Sequence, residues 1–362
     1  MKKKMIIYMS KLCVGGMEKS LISMINQSNF TAYYDVTLYV LYSNEDKYLE
    51  ELQSKVNVKL LWKKEWSMLG KLVCSIKMLT DLLVLKLTNN KYDVAICYPY
   101  QHQILSILTR MSSKNNLIFI HGNLKTKYKD NLEKQKKKLK YDKFSKVICV
   151  SNEALRIFKE IYPDYQGKCV TINNYIDGEN ILKLSEEKLD EDIKFDKTTF
   201  INIARQEEKV KKITRIIEAS KKLKKEKEVF QVILIGDGDD HQMYQDLIKK
   251  YNLEDCIFLL GKKINPYNYL KKSDCLIMSS IHEGYGIVLD EARILNIPII
   301  STDIADAKIV LSEGYGILCE NSEEGIYQGM KQFLKEGYHI KNKFDYQKFN
   351  SNITKLLDEI VK

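Results

Sequence analysis

Short apolar runs alternate with amphipathic stretches from one end of the chain to the other. MIIYMS (5–10), DVTLYVLY (35–42), YDVAICY (92–98), NLIFIH (116–121) and KVICVS (146–151) are runs of this kind, ending in polar residues. They predict parallel strands covered on both faces, with functional groups gathered at their C-terminal ends. Helical spacing follows the first glycine turn, from about Glu18 to Asn26, and fills NEALRIFKEIY (152–162), where Ser151 is the predicted N-cap. After KCVTINNYID (168–177) the alternation pauses in a stretch rich in Glu, Lys and Asp at 183–198. It restarts with strands at 198–205, 229–238, 256–261, 275–280 and 297–303, and with helices running to about Lys225 and Tyr251. The pattern predicts two α/β units, 1–177 and 178–342, each a doubly wound Rossmann-like sheet, facing one another across a cleft. The segment 343–362 reads as a helical end that periodicity assigns to neither unit.

One further stretch, MLGKLVCSIKMLTDLLVLKL (68–87), has the length of a membrane span. Lys71, Lys77, Asp81 and Lys86 interrupt it, and its spacing predicts an amphipathic helix rather than a transmembrane one. The N-terminus MKKKMIIYMS has lysines, but its apolar run is too short for a signal-peptide core and reads as a strand.

Composition adds bounds. A chain of 362 residues suits two domains, and 44% hydrophobic with 29% charged residues is ordinary for a globular protein. The eight cysteines never approach one another as C-x2-C, and several sit in strand-like runs. Buried reduced thiols in the cytoplasm fit better than zinc or a disulfide framework. The net charge is +10, and Lys125–Lys146 concentrates ten lysines against Asp130, Glu133 and Asp142, a local charge of +7. That cluster reads either as a solvated face or as a surface for anionic lipid headgroups. It lacks the aromatic interleaving expected of an RNA-binding surface, so no nucleic-acid partner is expected.

Four clusters at predicted strand ends carry candidate chemistry. In SKLCVGGMEKS, Gly15 and Gly16 open a helix whose amides can approach a phosphate or sugar, although neither a G-x-G-x-x-G nor a G-x4-G-K-[ST] pattern is present. In FIHGN, His121 ends a strand. In NIARQEEKVKKITRIIEAS, Arg205 ends a strand and Lys211 or Lys212 opens the next helix, two cations suited to a diphosphate. Cations at a helix start oppose its dipole, which favours a bound anion there. In SSIHEGYGIVLDEA, Glu283 and Glu291 bracket Gly284-Tyr285-Gly286. A continuous helix would set these carboxylates about 80° apart around its axis and about 12 Å apart along it. That is too far to share a proton and suits two ends of one elongated ligand.

These stretches together resemble family-4 retaining glycosyltransferases of the GT-B fold, which use nucleotide-activated sugars. The resemblance rests on GGMEKS, HGN, ICVSNEALRIF, INNYID, the Arg and Lys of IARQEEKVKK, LIGDGDD, and S-x-x-EGYGIVLDEA followed by IPIISTD, and it runs over nearly the whole chain. It implies that Glu291 holds the ribose hydroxyls of a UDP-sugar and Glu283 the hydroxyls of the transferred sugar. The amides from Gly284 through Tyr285 and Gly286 to Ile287, with Gly236 of LIGDGDD, would line the donor. Arg205 and Lys211 would neutralise the diphosphate, Gly15 and Gly16 would close on it, and His121 would bond the sugar near the reacting carbon. No cofactor and no metal are implied, the Arg/Lys pair standing in for one. The final helix would pack back on the first unit.

Three departures qualify the pattern. An extra residue between Arg and Lys leaves Lys212 and Lys209 as alternatives to Lys211. The usual Asn-Gly between the units is Asn174-Tyr175, and Asp290 adds a carboxylate beside Glu291. The expected function is retaining transfer of a hexose or N-acetylhexosamine to an acceptor hydroxyl of a cell-surface glycan, lipid-linked or not. The expected location is the cytoplasm or the inner face of the cell membrane. Alternatives are a non-catalytic partner subunit of the same fold and a UDP-sugar epimerase. A nicotinamide oxidoreductase is disfavoured by the missing dinucleotide fingerprint.

Overall fold

The computed structural model describes residues 2–13, 15–44, 46–63, 67–88, 91–99, 101–128 and 131–361, the side chains of 46, 47, 126, 127 and 166 excepted. It divides into two compact units, one of Met1–Ile176 with Lys348–Lys362 and one of Asp177–Gln347. Both are parallel-sheet α/β units of the Rossmann type.

The first sheet contains β1 (Lys3–Leu12), β2 (Tyr34–Ser43), β3 (Asn57–Trp62), β4 (Val94–Cys97), β5 (Asn116–Ile120), β6 (Lys146–Cys149) and β7 (Cys169–Thr171). Their spatial order is β3-β2-β1-β4-β5-β6-β7, every pairing parallel. Its central strands are buried throughout, as the uninterrupted apolar runs require. β3 went unpredicted because Asn57, Lys59 and a half-buried Trp62 at the sheet edge break the apolar run. Ser151 caps the helix Asn152–Ile161 as predicted, its Oγ accepting from the Ala154 amide at 3.1 Å. The final helix, Tyr346–Val361, is tied to this unit from Lys348 onward. Asn350 grips the Ile176 backbone at both its amide (3.1 Å) and its carbonyl (2.7 Å).

The second sheet contains β8 (Thr198–Ile203), β9 (Phe230–Ile235), β10 (Ile257–Gly261), β11 (Cys275–Met278), β12 (Ile299–Thr302) and β13 (Gly316–Cys319), in the order β10-β9-β8-β11-β12-β13. Strand order therefore reverses between β1 and β4 in the first sheet and between β8 and β11 in the second. Beyond the carboxyl ends of the strands at such a reversal, open α/β sheets leave a crevice for ligands.

The charged stretch 183–198 is no solvated linker. Lys188 and Lys194 carbonyls accept from Asn268 and Gln231, and Glu191 pairs with Lys263 and Tyr269, so this stretch is stitched to the second unit. The helix expected to run to Lys225 is also broken. Glu208–Lys211 forms one turn, Lys212 adopts a left-handed conformation (φ 51°), and Thr214–Lys225 follows. Glu208 fixes that break by accepting from the Thr214 amide and hydroxyl and from the Tyr244 hydroxyl.

Candidate functional site

In the second unit Arg205 leaves the end of β8 and stands 72% exposed, its only ion-pair neighbour among the described residues being Glu207 at 3.8 Å. The guanidinium is thus available to an anion. Lys211 ends the short Glu208–Lys211 turn, and its Nζ lies 2.6 Å from Glu283 Oε1 in a partly buried pair. Two backbone ties hold this turn against the loop after β11: Ser279 Oγ donates to the Lys211 carbonyl at 2.7 Å, and the Ile281 amide to the Val210 carbonyl at 3.0 Å. Lys212 points instead to Glu208, at 3.8 Å, and Lys209 is exposed. Of the three lysines weighed, Lys211 is the one paired with Glu283. The helix-dipole expectation needs correction. Lys209 and Lys211 lie in the last turn of a short helix, where cations are favourable, rather than at the start of a long one.

Glu283 lies in the loop after β11, so the continuous-helix spacing to Glu291 does not apply; the helix begins at Ile287. Glu283 Oε1 also accepts from Ser280 Oγ at 2.6 Å. An ammonium has three donors, so Lys211 can keep Glu283 and still donate to a phosphate oxygen. Gly286 enters the helix with φ 62°, a left-handed conformation that glycine adopts without strain. Glu291, 5% exposed, accepts from the Tyr267 hydroxyl at 3.0 Å.

Asp290 acquires a clear role. It is buried, accepts from the Tyr285 hydroxyl and from Arg293 Nη1 at 2.9 Å, and burial raises its pKa despite the guanidinium beside it. Arg293 also reaches Glu313 at 2.6 Å and lies 3.8 Å over the Phe344 ring. The chain Tyr285–Asp290–Arg293 thereby anchors the glycine loop to the helix that follows it. The Asp290/Arg293 spacing of three was readable as a helical pair; Tyr285 as its third member was not. Gly236, expected to line a donor, has a packing role: a Cβ there would fall 1.8 Å from the Ala204 carbonyl oxygen, and its φ is 142°. Gln206 and Tyr267 carried no sequence signal. Gln206 is 1% exposed, and its Oε1 faces His241 Nδ1 at 2.6 Å.

In the first unit, Gly15 is extended and precedes the helix Gly16–Gln27, which starts two residues earlier than predicted. The Glu18 carboxylate folds back so closely that a Cβ on Gly15 would meet its oxygen at 2.5 Å. His121 follows β5 directly. Its ring lies against Tyr98 (centroids 4.5 Å) and Phe119 (5.9 Å), and burial lowers its pKa to about 3 against a hydrogen bond to the Tyr98 backbone. His121 is therefore neutral at physiological pH, and its Nε2 is buried without a hydrogen-bond partner among the described residues. Behind it, Tyr98 OH and Ser20 Oγ lie 2.7 Å apart, and Ser20 donates to Asn174 Oδ1 at 2.5 Å.

Within Lys125–Lys146, residues 129 and 130 and the side chains of 126 and 127 lie outside the described residues. Lys125 pairs with Glu160, and Lys136 with Glu133 at 2.9 Å, while Lys134, Lys137, Lys138 and Lys140 are exposed. No helix among the described residues is long and apolar enough to cross a membrane, and none of their His, Cys, Asp and Glu side chains form a group of three or more able to hold a metal.

Residues 185–355 match the family model described as Glycosyl transferases group 1. An uncharacterized glycosyltransferase of Methanocaldococcus jannaschii, MJ1059, is 30% identical over 55% of this chain and 51% of its own length. N-acetylgalactosamine-N,N'-diacetylbacillosaminyl-diphospho-undecaprenol 4-alpha-N-acetylgalactosaminyltransferase of Campylobacter jejuni is 30% identical over 47% of this chain and 45% of its own length. The chain thus spans about half the length of these curated relatives. Among solved structures, Anabaena Alr3699/HepE in complex with UDP and glucose superimposes with a TM-score of 0.75 at 18% identity, covering 98% of this chain and 99% of that one.

Proposed function

We propose that the protein is a GT-B glycosyltransferase that moves a hexose or N-acetylhexosamine from a UDP-sugar to an acceptor hydroxyl of a glycan, with retention of configuration, a reading supported by the group 1 match over residues 185–355 and by the HepE-like fold. The observation that carries this reading is the Lys211–Glu283 pair beyond β11, with Arg205 exposed beyond the adjacent β8. A departing UDP accumulates negative charge on its diphosphate as the glycosidic bond breaks. Two fixed cations stabilise that charge more in the transition state than in the bound donor. Glu283, oriented by Lys211 and Ser280, accepts from hydroxyls of the transferred sugar. Glu291, oriented by Tyr267, accepts from the ribose. Gly15, Gly16 and His121 keep the roles that the resemblance gives them.

The transfer needs no metal in this reading, because Arg205 and Lys211 supply the positive charge. The acceptor is a cell-surface glycan, lipid-linked or free, and the exposed lysines of Lys125–Lys146 favour a position at an anionic inner membrane face. Support for a UDP-sugar comes from the HepE complex with UDP and glucose, and for a lipid-linked acceptor from the name of the Campylobacter relative. The test screens UDP-sugars for thermal stabilisation and then follows UDP release with and without glycan acceptors in EDTA. Acceptor-dependent release in EDTA is expected. Loss of activity in EDTA, restored by Mg²⁺ or Mn²⁺, contradicts metal independence, and an epimerised donor without UDP release contradicts transfer.

A further inference from the structure

The helix Met68–Thr88 turns only a narrow strip toward its sheet. Gly70, Cys74, Met78 and Leu85 are its buried positions, with Cys74 Sγ donating to the Leu41 carbonyl at 3.2 Å. The outer side carries Leu69, Leu72, Ile76, Leu79, Leu83 and Leu87, exposed by 53% at Ile76 to 84% at Leu87. With Met68 and Val84 at its margins, this apolar arc is about 160° wide at roughly 100° per residue. Sixteen large apolar side chains are exposed among the described residues, and eight of them lie on this one helix. Scattered single apolar residues need no explanation, but a continuous ridge about 30 Å long marks an interaction surface.

Charge decides which partner fits. Lys71 and Lys86 border the arc on one side, both exposed and without an ion pair among the described residues. On the other border Lys77 donates to the Leu61 carbonyl at 3.3 Å. The helix has one acidic residue, Asp81, which turns inward to accept from the Tyr39 hydroxyl at 2.6 Å and Lys59 at 2.7 Å. The helix Leu132–Leu139 packs beside it on the same intervening helix, Gln103–Ser112, and adds exposed Lys134, Lys137 and Lys138 to this side of the sheet.

We infer that this face is a membrane-docking surface: Met68–Thr88 lies in the plane of an anionic bilayer, its apolar arc among the acyl chains and its lysines at the headgroups. A second copy of the chain fits less well. Two such arcs packed face to face would set cationic borders near one another with no acidic side chain in the arc to answer them, whereas anionic headgroups answer all of them. Apolar area and basic charge together supply the two signals that stable reversible attachment requires. The inference locates the proposed acceptor reading at a lipid surface, yet attachment needs neither donor nor acceptor, so its failure and that of the transfer reaction are separately visible.

The test is flotation of the full chain with phosphatidylcholine vesicles, with or without a quarter phosphatidylglycerol, at low salt and at about 0.15 M. Recovery with anionic vesicles is expected, weakened by salt. The triple variant Leu72→Glu/Ile76→Glu/Leu83→Glu should lose more than about tenfold in partition coefficient. Its thermal midpoint should match the parent's, because all three side chains are already exposed. Each Lys→Gln change at 134, 137 or 138 should cost about fivefold on anionic vesicles alone. Flotation of the triple variant equal to the parent's overturns the inference, as does absence of binding at low salt. A parent dimer in light scattering that the triple variant dissolves, with no vesicle binding by either, assigns the ridge to a second copy instead.

Discussion

The two sheets are built to one plan and differ in what they place at the strand-order reversal. In the second unit that place holds formal charge: Arg205 after β8, and Lys211 paired with Glu283 after β11. In the first unit the ends of β1 and β4 lead to Gly15, with the buried Glu18 carboxylate folded against it, and to Tyr98, while the neighbouring β5 leads to a histidine kept neutral by burial. One architecture thus presents a Lys–Glu pair beside an exposed arginine in one unit and a neutral histidine, a buried tyrosine and a buried glutamate in the other. The exposed lysines of the first unit, Lys134, Lys137 and Lys138 among them, lie on its outer helices.

The comparison breaks most visibly if the charged network of the second unit proves dispensable. Asp290→Ala removes the partner of Tyr285 and Arg293 from a buried site. The expected loss is about 3 kcal/mol in urea unfolding, the low end for a broken buried pair because Arg293 keeps Glu313. A loss below about 1 kcal/mol would show that the loop does not depend on this anchor. Lys211→Ala should lower kcat by about a hundredfold or more, since in the proposed reaction it removes a cation from the leaving group and takes the Lys211 partner from Glu283. Lys212→Ala serves as the control and should stay within about threefold, because Lys212 faces Glu208.

The neutral histidine of the first unit is tested by pH. His121 has a pKa near 3 in the folded chain against about 6.5 unfolded. Above about pH 6.5 neither state protonates it, and its contribution is fully present. As pH falls from 6.5 toward 3 the unfolded state binds the proton and the folded state does not, so stability is lost by up to about 1.4 kcal/mol per pH unit. Thermal or denaturant unfolding of the parent and His121→Gln should therefore diverge on acidification, the parent losing more. Parallel curves from pH 7 to 4 would mean that the imidazole titrates freely. The smallest effect is expected at Thr354→Val, which removes the partner of the Tyr175 hydroxyl at 3.2 Å and should cost about 1 kcal/mol or less.

The second unit was the more legible in sequence, and the reason is physical. Its candidate residues lie in short segments where strand, loop and helix start follow within a few positions, so Arg205, Glu283 and Glu291 are readable from local spacing. The pairing of Lys211 with Glu283 joins residues far apart in the chain and was available only as a set of three lysines. Tyr267 on Glu291 and Tyr285 on Asp290 are tertiary contacts that no period encodes. In the first unit the buried strands were readable because their apolar runs are continuous, whereas β3 was hidden by its alternating, partly exposed edge. The amphipathic character of 68–87 was readable too. Which side of it the sheet covers was not, because the side richer in leucine is the exposed one and the covered strip is Gly70, Cys74, Met78 and Leu85.

The central claim is that Arg205 and Lys211 act on the leaving group rather than simply hold the donor. The most direct measurement compares kcat and the donor dissociation constant of Arg205→Ala with those of the parent, in EDTA, using the UDP-sugar that stabilises the parent most. A fall in kcat of about a hundredfold, with donor affinity weakened less than about tenfold, is the predicted result. An unchanged kcat with weakened donor binding would contradict it, leaving Arg205 as a ground-state contact only.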